Sequence, residues 1–224
     1  MIYSVKLKMD TSTPHHKTPN ILSTDLDKAI ELLLNGKVIG IPTDTTYGLA
    51  ADVTNIQAIE RVFWIKGRRG SEALPIFISE VGEIDKYATG ISEMAYKLSD
   101  AFWPGPLTMV LNSTNFVPEI VRGGMSTVAI RIPDHWVPRE IIRLLGRPIT
   151  GTSANKSGEP SLTHANQVQK QLGNDLELLI DGGPSGGMES TIIDLTVEQP
   201  IILRKGALEI GEIENVCDTE VIVN

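Results

Sequence analysis

Between residues 151 and 158 the chain reads GTSANKSG: small hydroxyls, an amide, an ammonium and two glycines, with almost nothing apolar. It follows Pro148-Ile149-Thr150, whose pattern is that of a strand end. Two readings of such an octet stand. Ser, Asn and Gly form turns, because their side chains bond local backbone and Gly accepts positive φ. Small donors and free backbone N–H groups also make a cradle for an anion.

Other stretches repeat the theme. IPTDTTYGLAAD (41–52) puts three threonines and an aspartate directly after a strand, as a polar turn or a binding loop. KGRRG (66–70) ends a helix with cations. These complement the helix dipole, and Lys66 and Arg68, flanking a glycine, also suit a polyphosphate. In TVAIRIP (127–133), Arg131 shares a face with Thr127, opposite Val128, Ile130 and Ile132. That face is either exposed to solvent or turned to a site. GGMESTIIDL (186–195) and LRKG (203–206) add small hydroxyls before one strand and cations after another. No Ser/His/Asp set, G-x-G-x-x-G or Walker P-loop stands out. The pattern is one of donor loops converging on an anion, as in phosphoryl or nucleotidyl chemistry, which works by positioning and charge neutralisation.

The elements that position these loops alternate along the chain. STDLDKAIELLLNG, NIQAIERVFWIKG, ISEMAYKLSDAFW, PREIIRLLG and HANQVQKQLG have helical spacing and end signals. KVIGIP, LPIFIS, LTMVL, STVAIRIP, PITG, LELLID, STIIDL and PIILRKG read as strands. This predicts an α/β fold with one large, twisted, open mixed sheet and flanking helices. Polar loops at strand ends are where open α/β sheets bind ligands.

The 224 residues are 41% hydrophobic and predict a single domain over 1–224, with an N-terminal strand and polar loop over 1–20 and a short C-terminal tail over 207–224. A net charge of −8 argues against a general nucleic-acid binder. One cysteine, Cys217, excludes a disulfide framework or a cysteine zinc site. No apolar run approaches membrane-spanning length and no signal-peptide core is evident, so the cytoplasm is the expected location.

PTDTTYGL, KGR, FWPGPLT, TVAIRIP, TSANKSG, ESTIIDL and ILRKG, in this order from about residue 25 to 206, resemble the YrdC/Sua5 family of threonylcarbamoyl-AMP synthases. The resemblance implies a concave, positively lined cavity. It also implies conversion of ATP, L-threonine and bicarbonate or CO2 into threonylcarbamoyl-AMP and pyrophosphate. Separate t6A transferase enzymes then modify tRNAs that read codons starting with A. By motif, Thr43, Arg131 and Ser190 would contact L-threonine. Lys66, Arg68, Thr127, Ser153, Asn155, Ser161 and Arg204 would contact ATP. Mg2+ would enter on the ATP phosphates, with Asn155 beside it. The chain departs from the pattern at Asp44 (Glu in many members), Phe77 (His, a threonine contact), Arg69 (Pro) and Glu72 (Asn). One rival is a non-catalytic double-stranded RNA or tRNA-binding module of the same fold; charge and the lack of an aromatic stacking motif oppose it, though a weak tRNA contact stays compatible. The other rival, a carbamoyl-transfer domain of the hydrogenase-maturation type, comes with zinc-binding cysteines that this chain lacks.

Overall fold

A computed structural model describes residues 3–6, 23–67 and 72–223. The predicted polar loop before residue 20 and Arg68 lie outside them. The elements begin β1 (Tyr3–Lys6), α1 (Ser23–Leu34), β2 (Ile39–Ile41), β3 (Gly48–Ala50), α2 (Ile56–Lys66) and β4 (Ile76–Phe77). They continue α3 (Ile84–Tyr87), β5 (Ala88–Thr89), α4 (Glu93–Phe102), β6 (Leu107–Ser113), α5 (Glu119–Arg122), β7 (Thr127–Arg131) and α6 (Trp136–Leu145). The remainder is β8 (Ile149–Thr150), β9 (Thr152–Ser153), α7 (Ala165–Leu172), β10 (Leu178–Asp181), β11 (Thr191–Asp194), β12 (Ile201–Arg204), α8 (Ile210–Cys217) and β13 (Ile222–Val223).

The strands form two open mixed sheets rather than the single large one predicted. The smaller runs β1-β10-β2-β3-β9 and the larger β13-β12-β11-β6-β7-β4-β8, with β5 beside β6. The division falls at Gly151. β8 pairs with β4 of the larger sheet and β9 with β3 of the smaller. Between them the Gly151 N–H donates to the Pro75 carbonyl at 2.7 Å. A Cβ at Gly151 would lie 2.4 Å from the buried Phe77 ring, so only glycine lets the chain cross there. An isolated bridge between Asp52 and Ile149 joins the sheets at the same place.

The buried apolar residues form two clusters, each drawing on strands of both sheets. Ile39, Ile41 and Ile180 pack with Ala29 and Leu33 of α1 and with Val137, Ile141 and Ile142 of α6. A larger cluster unites Ile76, Met109, Val128 and Ile130 with α2, α4 and α8. Where a short tail was expected, α8 and β13 form, and Ile213 and Cys217 of α8 join this core. Helix α2 follows its sequence signals. Asn55 caps its start by accepting the Ala58 N–H at 3.1 Å, and Gly67 ends it in the left-handed conformation (φ 67°). Gly67 is therefore explained by helix termination.

Candidate functional site

The loops after β2, between β8 and α7, and before β11 converge on a cavity of about 410 Å³. Its lining includes Thr43, Lys66, Arg131, Ser153, Asn155, Ser190 and Arg204 of the sequence-predicted residues. Ser161 lies just outside, donating its hydroxyl to the lining residue Glu189. Thr127 stands at the far end of β7, opposite Asn112 of β6, and does not line the cavity.

Arg131 is only 4% exposed, and three segments hold it. Its Nε donates to the Gly105 carbonyl at 2.9 Å, Nη1 to the Thr45 hydroxyl at 2.9 Å, and Nη2 to Asp44 Oδ1 at 2.6 Å. The same carboxylate oxygen accepts the Asp134 N–H at 3.1 Å. The Phe77 ring, Arg131's neighbour in the parallel β4–β7 register, lies 5.6 Å from the guanidinium carbon. Burial pulls the Arg131 pKa down and Asp44 pushes it back up. The guanidinium is thus aimed before any ligand arrives. The motif FWPGPLT contributes through backbone: the Trp103 indole donates to the Leu107 carbonyl at 2.7 Å, shaping the turn that presents the Gly105 carbonyl.

Lys66 is 1% exposed. Its ammonium donates to the Ser153 carbonyl at 2.6 Å and to the Asn155 carbonyl and Oδ1 at 3.1 Å each. Asn155 Oδ1 also accepts the Ser153 hydroxyl at 2.6 Å. The opening octet is not a ring of free amides. The N–H groups of Gly151, Ala154, Asn155 and Ser157 donate to backbone carbonyls, and that of Lys156 to Gln171. Ser157 serves the Lys66 carbonyl, and the Lys156 ammonium serves that of Ile65 at 2.6 Å. The octet thus satisfies carbonyls that the end of α2 leaves open and presents side chains to the cavity.

Arg204 donates twice to the Ser190 carbonyl, at 2.8 and 3.1 Å, and once to its hydroxyl at 3.0 Å. It also pairs with Glu189 at 2.5 Å. Burial lowers its pKa, and Glu189 opposes the shift. The Ser190 hydroxyl meets that of Thr108 at 2.8 Å. Thr43 acts within its own turn, donating to the Thr46 carbonyl at 2.6 Å and accepting from the Thr45 and Thr46 N–H groups. The glycine-rich segment after β10 is clipped to this turn by Gly186 and Gly187 donating to the Asp44 and Thr45 carbonyls.

On the described lining, Lys66, Arg131 and Arg204 are interspersed with Glu72, Glu159 and Glu189. Sequence reasoning missed Thr45, Thr108 and Glu189. Each lies inside a quoted motif, but its partners come from strands distant in sequence. Asp44 was noted only as a departure; its pairing with Arg131 spans 87 residues. Among the described residues, no group of three or more His, Cys, Asp or Glu is placed to hold a metal ion.

The Sua5/YciO/YrdC family model, described as "Telomere recombination", matches residues 31–206. The threonylcarbamoyl-AMP synthase of Pyrococcus abyssi is 42% identical over 189 residues, covering 84% of this chain and 56% of that protein. The Bacillus subtilis protein of the same name is 37% identical over 191 residues, covering 84% and 55%. This chain spans a little over half the length of these two relatives. The crystal structure of P. abyssi Sua5 complexed with L-threonine superposes with a TM-score of 0.89 at 37% identity, covering 100% of this chain and 62% of the other. With a matched region that takes in every loop around the cavity, the chain belongs to the Sua5/YciO/YrdC family.

Proposed function

We propose that this chain catalyses nucleotidyl transfer, forming threonylcarbamoyl-AMP and pyrophosphate from ATP, L-threonine and bicarbonate or CO2, for use by t6A transferase enzymes that act on tRNA. The observation that carries this reading is the preset guanidinium of Arg131 in a cavity that also holds Lys66 and Arg204. The names of the relatives and the L-threonine complex of the P. abyssi protein support it.

The threonine amine adds to CO2, losing a proton, to give a carbamate. A carbamate oxygen then attacks the α-phosphorus of ATP, and the bond from that phosphorus to the β-phosphate bridge breaks with pyrophosphate leaving. Two unit negative charges about 4 Å apart repel by about 4 kcal/mol at an effective dielectric of about 20. Arg131 suits the amino acid's carboxylate, a planar acceptor that matches its fork. Arg204 serves the nucleotide, with Glu189 as the anion it leaves. Lys66 adds positive potential while holding the 153–155 loop.

Asn155 does not fit a direct metal ligand, because its Oδ1 already faces the Lys66 ammonium. The residues fit Mg2+ carried on substrate phosphates and water, the usual mode for this ion, where it neutralises phosphate charge. No helix among the described residues is long and apolar enough to cross a membrane.

Incubation with ATP, L-threonine and 13C-bicarbonate, followed by mass spectrometry, tests the reading. The expected product is a labelled threonylcarbamoyl adenylate. ADP as the only nucleotide product would overturn it.

A further inference from the structure

The hydroxyl-bearing residues of the cavity lining differ in how their hydroxyls are bonded. Those of Thr43, Thr45, Ser153 and Ser190 are bonded to protein groups already described. Those of Thr46 and Thr152 have no partner among the described residues. Both residues line the cavity and are 6% exposed, and neither hydroxyl oxygen is fully enclosed. Two residues of the cavity lining thus carry hydroxyls that are accessible and have no protein partner among the described residues.

Their positions add a direction. Thr46 follows Thr45, which holds Arg131 Nη1. Thr152 follows Gly151, whose missing side chain makes room for the Phe77 ring beside Arg131. Each hydroxyl is thus one residue from a group that shapes the Arg131 end of the cavity. The ring itself offers no polar atom there.

We propose that Thr46 and Thr152 are specificity-determining residues whose hydroxyls bond the side-chain hydroxyl of the amino acid held by Arg131, while the Phe77 ring takes its methyl. This rests on the function proposed above. A site that hydrogen-bonds a substrate hydroxyl rejects the analogue lacking it far more strongly, by about 10⁴-fold, than an apolar pocket can.

Thr46→Val and Thr152→Val remove each hydroxyl at nearly constant shape. Calorimetric titration of the full chain with L-threonine, L-valine and ATP reads the effect. Each variant is expected to bind L-threonine about three- to tenfold more weakly. ATP affinity stays constant and the preference for L-threonine over L-valine narrows. A variant that keeps its L-threonine affinity overturns the assignment for that residue. So does one that loses L-threonine and ATP equally. Wild-type protein that binds no L-threonine overturns the function itself, which separates the two failures.

Discussion

Lys66 is a buried cation whose charge and bonds serve different ends. Its ammonium bonds two carbonyls and the Asn155 side chain, so its removal strips partners from an enclosed loop. A buried acceptor left unpaired costs about 1–3 kcal/mol. Lys66→Met should therefore lower unfolding free energy by about 2 kcal/mol or more, and weaken ATP binding as the loop loosens. Urea denaturation and ATP titration read both. Unchanged stability with lost ATP affinity would make Lys66 a direct phosphate contact alone. Arg131→Lys keeps the charge but cannot reach Gly105, Thr45 and Asp44 together. L-threonine affinity should drop about ten- to a hundredfold, with ATP affinity nearly constant. Threonine binding equal to wild type would place the carboxylate elsewhere. The alternation in TVAIR made the facing of Arg131 legible, because Val128 and Ile130 are buried as core. Its anchors were not legible, since Asp44 and Gly105 lie 87 and 26 residues away.

Helix α6 carries a titratable cap. His135 Nδ1 accepts the Val137 N–H at 3.2 Å, and burial holds the imidazole pKa below its ordinary value of 6.5 against the opposing pull of Asp44 and Asp134. The unfolded chain then binds the proton more readily. This contribution is intact above pH 6.5 and is lost as pH falls below it. His135→Asn keeps a capping acceptor. The variant should lose less stability than wild type between pH 7 and 5, measured by thermal melts across that range. Parallel loss in both would assign the acid sensitivity to other groups. The long helices were readable because Asn55 and Gly67 flag the ends of α2. Strands β3 and β9 were not, because they lie inside stretches rich in Gly, Ser, Thr and Asn that read as turns or loops. In a sequence met alone, β3 is hidden inside what looks like one polar loop.

At the scale of the whole molecule, the cavity exists because the strands belong to two sheets, with the loops that line it at the join. The crossing at Gly151 leaves no periodic trace in the sequence; it follows from the Phe77 ring occupying the space a side chain would need. The alternation of helical and strand segments predicted the mixed α/β class, and the order of seven motifs carried the candidate site. Neither shows that Arg131 and Arg204 each have a carboxylate partner, or that Lys66 bonds the 153–155 loop. Because Arg131 and Arg204 are already ion-paired, those pairs should open only for anions that replace their carboxylates, so turnover should need both substrates' anions at once. Pyrophosphate release from ATP by the purified chain tests this most directly. Release is predicted with L-threonine and bicarbonate together, and only background release when either is withheld. Release at the same rate without L-threonine would contradict the account.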